Sequence, residues 1–459
     1  MKFGGSSLAS AARLRQVADL VAAATATPCV VLSAMGDSTD ELFAAVRHAE
    51  AGRAAEALAA AAVPFDAAAR VAEELLAAPA TIAAPLQQLR RDVELLLTGL
   101  ARRAEPSPRG CDAVVAHGER LSTLLLTALL TERGLAAAQV DARDVVRTDA
   151  TFGRARPDQG AIRQRAQQTI APHVGRGTIA VTQGYVGSTP DGATTTLGRG
   201  GSDWSAALLG AALMADEVQI WTDVEGVLTA DPRVVPEALP IATLSADEAA
   251  ELAAFGARVL HPSTIKPAVD KGIPVTVRHA QRPDGAFTRI DAKATRDGAG
   301  IAALASRGPV TVLTMTSRRM LEASGYLARL FAVFGEHDVS IDLIATAEVS
   351  VACTVEADAP VARLVAALDG LAHVEVTPDC AIVAAIGDGL QRTERVLERA
   401  CRALHPIEPQ MVSFGGNSRN LSFVVRAEQQ QQAVRRLHAE FFGAVVMRPA
   451  PAQFEENAS

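Results

Sequence analysis

Residues 194–209 read Thr-Thr-Thr-Leu-Gly-Arg-Gly-Gly-Ser-Asp-Trp-Ser-Ala-Ala-Leu-Leu. A β-branched run gives way to glycines and then to an Ala/Leu stretch. The pattern predicts a glycine loop that opens a helix from about Asp203 to Met214, and the free N–H groups of a helix N-terminus attract anions. Ser202 or Asp203 alone would suffice as a cap. A cap does not need Arg199 and Asp203 framing two glycines, so ligand binding is the better reading. The Gly/Thr-rich residues 187–203 are expected to form one long loop.

Outward from this loop, strand and helix patterns alternate. Residues 29–34 (CVVLSA) are a short apolar run ending in small residues, as in a buried parallel strand. Residues 40–104 are Ala/Leu-rich with spaced charges and read as helical. A Pro/Gly break from Pro106 to Gly110 follows, and a second helix succeeds Gly118. Val140, Thr178–Gln183, Glu217–Trp221 and 274–279 read as strands, and 245–254 as a helix. Such alternation predicts an α/β domain with a mostly parallel sheet over residues 1–295. Beyond it the strands are shorter, and apolar positions recur at an offset of 70: Leu327 with Leu397, Phe334 with Leu404, Val351 with Leu421, Cys353 with Phe423, Val355 with Val425. Each copy reads helix, strand, strand, helix, so two copies of one small α+β module are expected.

Composition excludes several classes. At 459 residues, three domains are a reasonable expectation. Apolar residues make up 49% and charged residues 21%, which excludes a disordered or collagen-like chain. The net charge of −8, with no basic stripe, argues against nucleic acid as a partner. Cys29, Cys111, Cys353, Cys380 and Cys401 are odd in number and show no CxxC spacing, which suits a reducing cytoplasm and gives no metal site. The opening MKFGGSSLAS has no apolar core of a signal peptide. No uninterrupted apolar run reaches the roughly 18 residues of a membrane span. Lysine occurs only at Lys2, Lys266, Lys271 and Lys293, so each stands out in an arginine-rich chain.

No GxxxxGK[ST] occurs, and no GxGxxG follows the first strand. Lys2-Phe3-Gly4-Gly5-Ser6-Ser7 instead sets a cation beside backbone N–H groups that can approach phosphate oxygens closely. Trp221-Thr222-Asp223-Val224-Glu225-Gly226 is a strand end followed by a polar turn, where ligands bind in open α/β sheets.

Taken jointly, KFGGSS (2–7), VVLSAMGDSTDEL (30–42), HGERLST (117–123), TTTLGRGGSDWSAALL (194–209), WTDVEGVLTADPR (221–233) and FGARVLHPSTIKPA (255–268) resemble the amino-acid-kinase fold and, within it, aspartokinase of the lysine-sensitive, single-function type. The resemblance covers nearly the whole chain. It implies an amino-acid-kinase-like, mostly parallel sheet flanked by helices, followed by two ferredoxin-like ACT modules: 316–383, then 300–315 with 384–449, and a tail at 450–459. It implies ATP-dependent phosphorylation of the β-carboxylate of L-aspartate with Mg²⁺, the first step toward lysine, threonine and methionine, in a cytoplasmic homodimer or dimer of dimers. Carried over residue by residue, Lys2 and Asp203 would be catalytic. Ser33, Thr39, Glu119, Arg199 and Ser202 would hold aspartate. Gly4, Gly5, Ser6, Thr222, Asp223, Arg233 and Arg258 would line ATP. Met320, Ser324, Gly325, Tyr326, Leu327, Ser340, Asp342 and Glu348 would form an effector site for an amino acid such as L-lysine. Leu228 stands where the family has an aromatic, Arg258 where it has Lys, and Ser6 where it often has Thr.

The residue types suit these roles. A site for aspartate needs a cation for a carboxylate and an anion for the ammonium, and Arg199 and Glu119 qualify. The attacking β-carboxylate, with an ordinary pKa of about 3.9, is already ionised at neutral pH. No base is then required, and Asp203 is expected to organise Lys2 or magnesium. Two alternatives compete: a relative of the same fold acting on glutamate, acetylglutamate or a nucleotide, and a non-catalytic amino-acid sensor. The terminal repeats argue against the first. The joint retention of Lys2, Arg199 and Asp203 argues against the second.

Overall fold

The structure is a computed structural model that describes residues 1–256, 262–292, 294, 300–321 and 324–446. Its contacts divide the chain into two units. The first holds residues 1–227, 242–246 and the described residues between 259 and 294; the second holds 228–241, the described residues of 247–258, and those beyond 295.

The first unit is built on an eight-stranded sheet. Its strands are β1 (Lys2–Phe3), β2 (Cys29–Leu32), β3 (Ala137–Val140), β4 (Ile179–Gln183), β7 (Val218–Thr222), β8 (Thr243–Ser245), β9 (Val275–His279) and β10 (Thr288–Asp291), in the order β3-β4-β2-β1-β7-β9-β10-β8. All pairs are parallel except β9 with β10. Helices on the faces explain why β2 is a continuous apolar run and β4 is buried at every position: both sides of a parallel sheet are covered. β1 has only two residues, yet it is central, with Lys2 in register with Val31 on one side and Ile220 on the other. The order reverses around β1, and the carboxyl ends of strands at such a switch point form a binding crevice.

The region expected to be helical is three helices, Ser38–Glu50, Ala54–Leu75 and Ala80–Arg103. Pro64 and Pro85 lie inside the last two and do not break them. Helix His117–Glu132 buries Leu121, Leu125, Leu126, Leu129 and Leu130 in the main core. The whole stretch Pro108–Glu132 is apolar and long enough to span a membrane by length and composition, but 72% of its most apolar window is buried, as in a core helix. One expectation is corrected here. Residues 187–203 are not a single loop: β5 (Val186–Ser188) and β6 (Thr194–Thr196) pair antiparallel. The β-branched Thr run fits a strand, and the intervening Pro190-Asp191-Gly192 makes the turn.

The second unit contains one antiparallel sheet of β11 (Ala303–Thr316), β12 (Ile344–Thr346), β13 (Ser350–Glu356), β14 (His373–Ile386), β15 (Met411–Phe414) and β16 (Asn420–Arg426), in the order β12-β13-β11-β14-β16-β15. The long strands β11 and β14 run through both halves, with a register shift between Arg307 and Val310. Val351, Cys353 and Val355 are fully buried in one half, and Leu421, Phe423 and Val425 in the other. The two halves are therefore repeats in burial as well as in sequence. Residues 228–241 and 247–256 belong here for physical reasons. Ala230 and Val235 join the second apolar cluster, Leu304 N–H donates to the Thr229 carbonyl at 2.8 Å, and the side-chain amides of Asn417 and Asn420 donate to Glu251.

Candidate active site

The carboxyl ends of β1, β2, β4 and β7 each deliver part of one site. Lys2 lies on β1, 8% exposed, with Nζ 2.6 Å from Asp203 Oδ1 in the first turn of helix Gly201–Leu213. Gly4 and Gly5 follow. A Cβ on Gly4 would sit 3.7 Å from Lys2 Nζ, and one on Gly5 would sit 2.9 Å from the Ala34 carbonyl oxygen. Glycine at 5 is thus a steric requirement, because the turn after β1 packs directly on the turn after β2. The two turns are also joined by hydrogen bonds, Gly36 N–H to Gly5 O and Ser33 N–H to Phe3 O, each 3.1 Å. Ser6 lies in the 3-10 turn Gly5–Leu8, its carbonyl held by the Arg13 guanidinium.

Glu119 sits in the first turn of helix His117–Glu132 and is 3% exposed. One carboxylate oxygen accepts from Ala34 N–H at 3.3 Å, and the other has no partner among the described residues. Burial pushes its pKa up to about 8, from an ordinary 4.5. Gly118 allows the helix to approach: its Cβ would stand 2.8 Å from the Ala34 side chain and 3.7 Å from Thr39 Oγ1. Glu119, the turn after β2 and Thr39 are therefore packed close together around Gly118. A buried carboxylate with an unsatisfied oxygen is arranged to receive a cation.

At the end of β4, Gly184 presses on Ser202, whose Cβ would lie 2.7 Å from any Gly184 Cβ. Tyr185 follows with φ of +66°, an uncommon conformation for a bulky residue that concentrates at functional sites. Its N–H donates to Ser205 Oγ at 3.0 Å, and its carbonyl accepts from Leu197 N–H at 2.9 Å, so it fastens the glycine loop to the sheet. Gly198 and Gly200 take φ of +80° and +70°, conformations that favour glycine. Arg199 between them is exposed and has no ion-pair partner among the described residues. At the carboxyl end of β7, Thr222 Oγ1 donates to Asp223 at 3.2 Å.

The structure brings Lys2, Gly4, Gly5, Ser6, Ser33, Thr39, Glu119, Arg199, Ser202, Asp203, Thr222 and Asp223 to one end of one sheet. Arg233 belongs to the second unit, where its guanidinium pairs with Asp231 at 2.6 Å. Arg258 lies outside the described residues. Two residues were not singled out by the sequence. Tyr185 is one of only two tyrosines, a rarity that could have drawn attention. Asp112 is 2% exposed, and burial raises its pKa although it accepts hydrogen bonds from Gly153 N–H, Thr196 N–H and Thr196 Oγ1.

In the second unit, Gly325 at φ of +76° precedes helix Tyr326–Glu336. Tyr326 is buried and donates to the Leu371 carbonyl at 2.6 Å, while Ser324, Leu327, Ser340 and Glu348 are exposed and Met320 is half-buried. Asp342 is half-buried and ion-paired. Arg307 holds one of its oxygens at 2.7 Å and also reaches Glu356 at 3.1 Å, leaving the second Asp342 oxygen without a partner among the described residues.

The Amino acid kinase family pattern matches residues 1–279, and an ACT domain pattern matches residues 383–441. The chain is 39% identical to lysine-sensitive aspartokinase 3 of Escherichia coli (strain K12), across 96% of this chain and 98% of that one. It is 35% identical to the chloroplastic aspartokinase 1 of Arabidopsis thaliana, across 96% and 80% respectively. Among solved structures it is similar to E. coli aspartokinase III in complex with aspartate and ADP, with a TM-score of 0.80, 39% identity, and coverage of 96% of this chain and 99% of that one. The same E. coli protein in complex with lysine and aspartate gives a TM-score of 0.79 at 39% identity, covering 96% and 98%.

Proposed function

The chain belongs to the aspartokinase branch of the amino acid kinase family, and on that premise we propose that it transfers the γ-phosphoryl group of ATP to the β-carboxylate of L-aspartate. The observation that carries this reading is the juxtaposition, at one switch point, of the Lys2–Asp203 ion pair and the buried, half-satisfied Glu119. Glu119 takes the substrate ammonium. Arg199 takes the α-carboxylate. The β-carboxylate is then left facing Lys2, already ionised and needing no base. Lys2 neutralises charge that develops on the phosphoryl oxygens, and the Gly5 N–H and the N-terminal end of helix Gly201–Leu213 add fixed dipoles. Asp203, bonded to Lys2 at 2.6 Å, fixes the ammonium in place.

Magnesium fits this donor set as a companion of the nucleotide. No group of three or more metal-ligating side chains exists among the described residues, and Mg²⁺ carried on phosphates needs only one or two protein carboxylates, for which Asp203 is placed. When bound, it would neutralise phosphate charge. Thr222 and Asp223 at the end of β7 flank the nucleotide, and Arg233 and Arg258 are assigned to it on family likeness.

In sequence terms we assign 1–295 to catalysis, 316–383 to the first regulatory module, and 300–315 with 384–449 to the second. Lysine is proposed as the inhibitory effector at Met320, Ser324–Leu327, Ser340, Asp342 and Glu348. The lysine sensitivity of the E. coli relative supports this. Inhibition requires that lysine bind an inactive arrangement more tightly than the active one. A cytoplasmic homodimer or dimer of dimers is the expected assembly. The test is a panel of acceptors (aspartate, glutamate, acetylglutamate) with ATP and hydroxylamine. Hydroxamate forming with aspartate alone is expected; hydroxamate forming with glutamate or acetylglutamate instead refutes the assignment.

A further inference from the structure

We infer that Asp112 is a positioning residue that sets the distance between the two ends of the amino-acid site, by anchoring the loop that carries Arg199 to the helix that carries Glu119. This deepens the substrate reading above and rests on it.

Asp112 lies in helix Pro108–Val115, which leads at once into helix His117–Glu132. Asp112 and Glu119 are seven residues apart, on consecutive helices joined only by Ala116. One Asp112 oxygen accepts from Thr196 N–H at 2.9 Å and from Gly153 N–H at 2.8 Å, and the other accepts from Thr196 Oγ1 at 2.9 Å. Thr196 ends β6, three residues before Arg199, and is fully buried. Gly153 belongs to the loop under the glycine turn: Ala155 N–H donates to Thr196 O at 2.9 Å, and a Cβ on Gly198 would stand 3.1 Å from Gly153 O.

The turn from Gly198 to Gly200 has two glycines at positive φ and is intrinsically permissive. Its position must be imposed at its ends. At the far end Gly201 packs on Tyr185, where a Cβ would come within 2.7 Å of the ring. At the near end the anchor is Asp112, which takes the N–H groups of Gly153 and Thr196 and the Thr196 hydroxyl, the last also bonded to the Tyr185 side chain. A single helical stretch thereby carries both the acceptor for the substrate ammonium and the anchor for the guanidinium that meets its carboxylate. Loss of the anchor lets Arg199 drift from Glu119 without touching Lys2, Asp203 or the end of β7. Displacements of about 1 Å in such arrays are worth up to about a hundredfold.

The experiment compares Asp112→Ala and Asp112→Asn with wild type, and uses Glu119→Gln as a control on the substrate reading. KM for aspartate, KM for ATP, kcat and melting temperature are measured for each. Asp112→Ala should raise the aspartate KM at least about tenfold with the ATP KM within about twofold. Asp112→Asn keeps one acceptor oxygen at the same shape and should fall between Ala and wild type; it also carries the test if the Ala variant does not fold. The inference is overturned if the aspartate KM stays within twofold in both variants, or if both KM values rise together as the melting temperature falls. If Glu119→Gln raises the aspartate KM and the Asp112 variants do not, only this inference fails. If Glu119→Gln leaves it unchanged, the substrate reading fails and takes this inference with it.

Discussion

Replacing Glu119 with Gln should stabilise the ligand-free protein and cripple its use of aspartate at the same time. Glu119 is 3% exposed, and burial raises its pKa from 4.5 to about 8. A carboxyl raised on folding binds its proton more tightly in the folded state. Its stability contribution is therefore whole below about pH 4.5 and declines as pH rises toward 8. Ionisation there costs the folded, ligand-free protein on the order of 4 kcal/mol. Gln keeps the oxygen that accepts from Ala34 N–H and never ionises. Glu119→Gln should thus melt several degrees above wild type at pH 8, at roughly 2–4 °C per kcal/mol, and the gap should close near pH 5. Substrate binding moves the other way. Losing a hydrogen bond to a charged partner costs about 1.5–3 kcal/mol, so the aspartate KM should rise roughly 10- to 150-fold. In wild type, protonated Glu119 cannot pair with the ammonium, so apparent aspartate affinity should fall about tenfold per pH unit below pH 7. Glu119→Gln should abolish that slope. ADP release over an aspartate titration, with thermal melts at pH 5 and pH 8, measures all of this. An unchanged aspartate KM together with melting at or below wild type at pH 8 refutes the reasoning and returns Glu119 to a helix-dipole role.

Three further outcomes are expected. Lys2→Ala should lower kcat by roughly 10²–10³-fold, as when one preorganised donor is lost, and a near-normal kcat in the hydroxamate assay removes Lys2 from the mechanism. Gly5→Ala places a methyl 2.9 Å from the Ala34 carbonyl and should destabilise by about 1–3 kcal/mol in thermal melts, whereas Gly4→Ala, 3.7 Å from Lys2 Nζ, should melt close to wild type. Asp342→Ala should raise the lysine concentration needed for half-inhibition at least about tenfold with unchanged kcat, since an ionic hydrogen bond to the effector is lost; inhibition of wild type by threonine and not by lysine would reassign the effector.

Much of the site is legible in the sequence because its physical demands are local. Positive-φ glycines at 198 and 200 and the steric limit at Gly5 leave signatures in adjacent residues. The offset-70 repeat is legible because Val351, Cys353 and Val355 of β13 and Leu421, Phe423 and Val425 of β16 are buried at matching positions. β1 is not legible by periodicity, since two residues carry no period, and its centrality is set by β2 and β7 on either side. The hairpin of β5 and β6 is hidden because three-residue strands resemble loop. Asp112 meets Thr196 across 84 positions, and Arg307 meets Asp342 across 35, so neither pairing leaves a local pattern. The membership of 228–241 in the second unit has the same cause: Thr229 bonds His438 on the last helix, 209 positions away.

Identifying which carboxylate receives the phosphoryl group tests the account most directly. Glu119 and Arg199 are assigned to the amino-acid end of the substrate, so that the β-carboxylate meets Lys2. Reducing the acyl phosphate with borohydride converts the phosphorylated carboxyl to an alcohol and records its position. The account predicts 2-amino-4-hydroxybutyrate, formed in step with ADP. Recovery of 3-amino-4-hydroxybutyrate, the product of α-phosphorylation, or ADP release with no reduced amino acid, would contradict it.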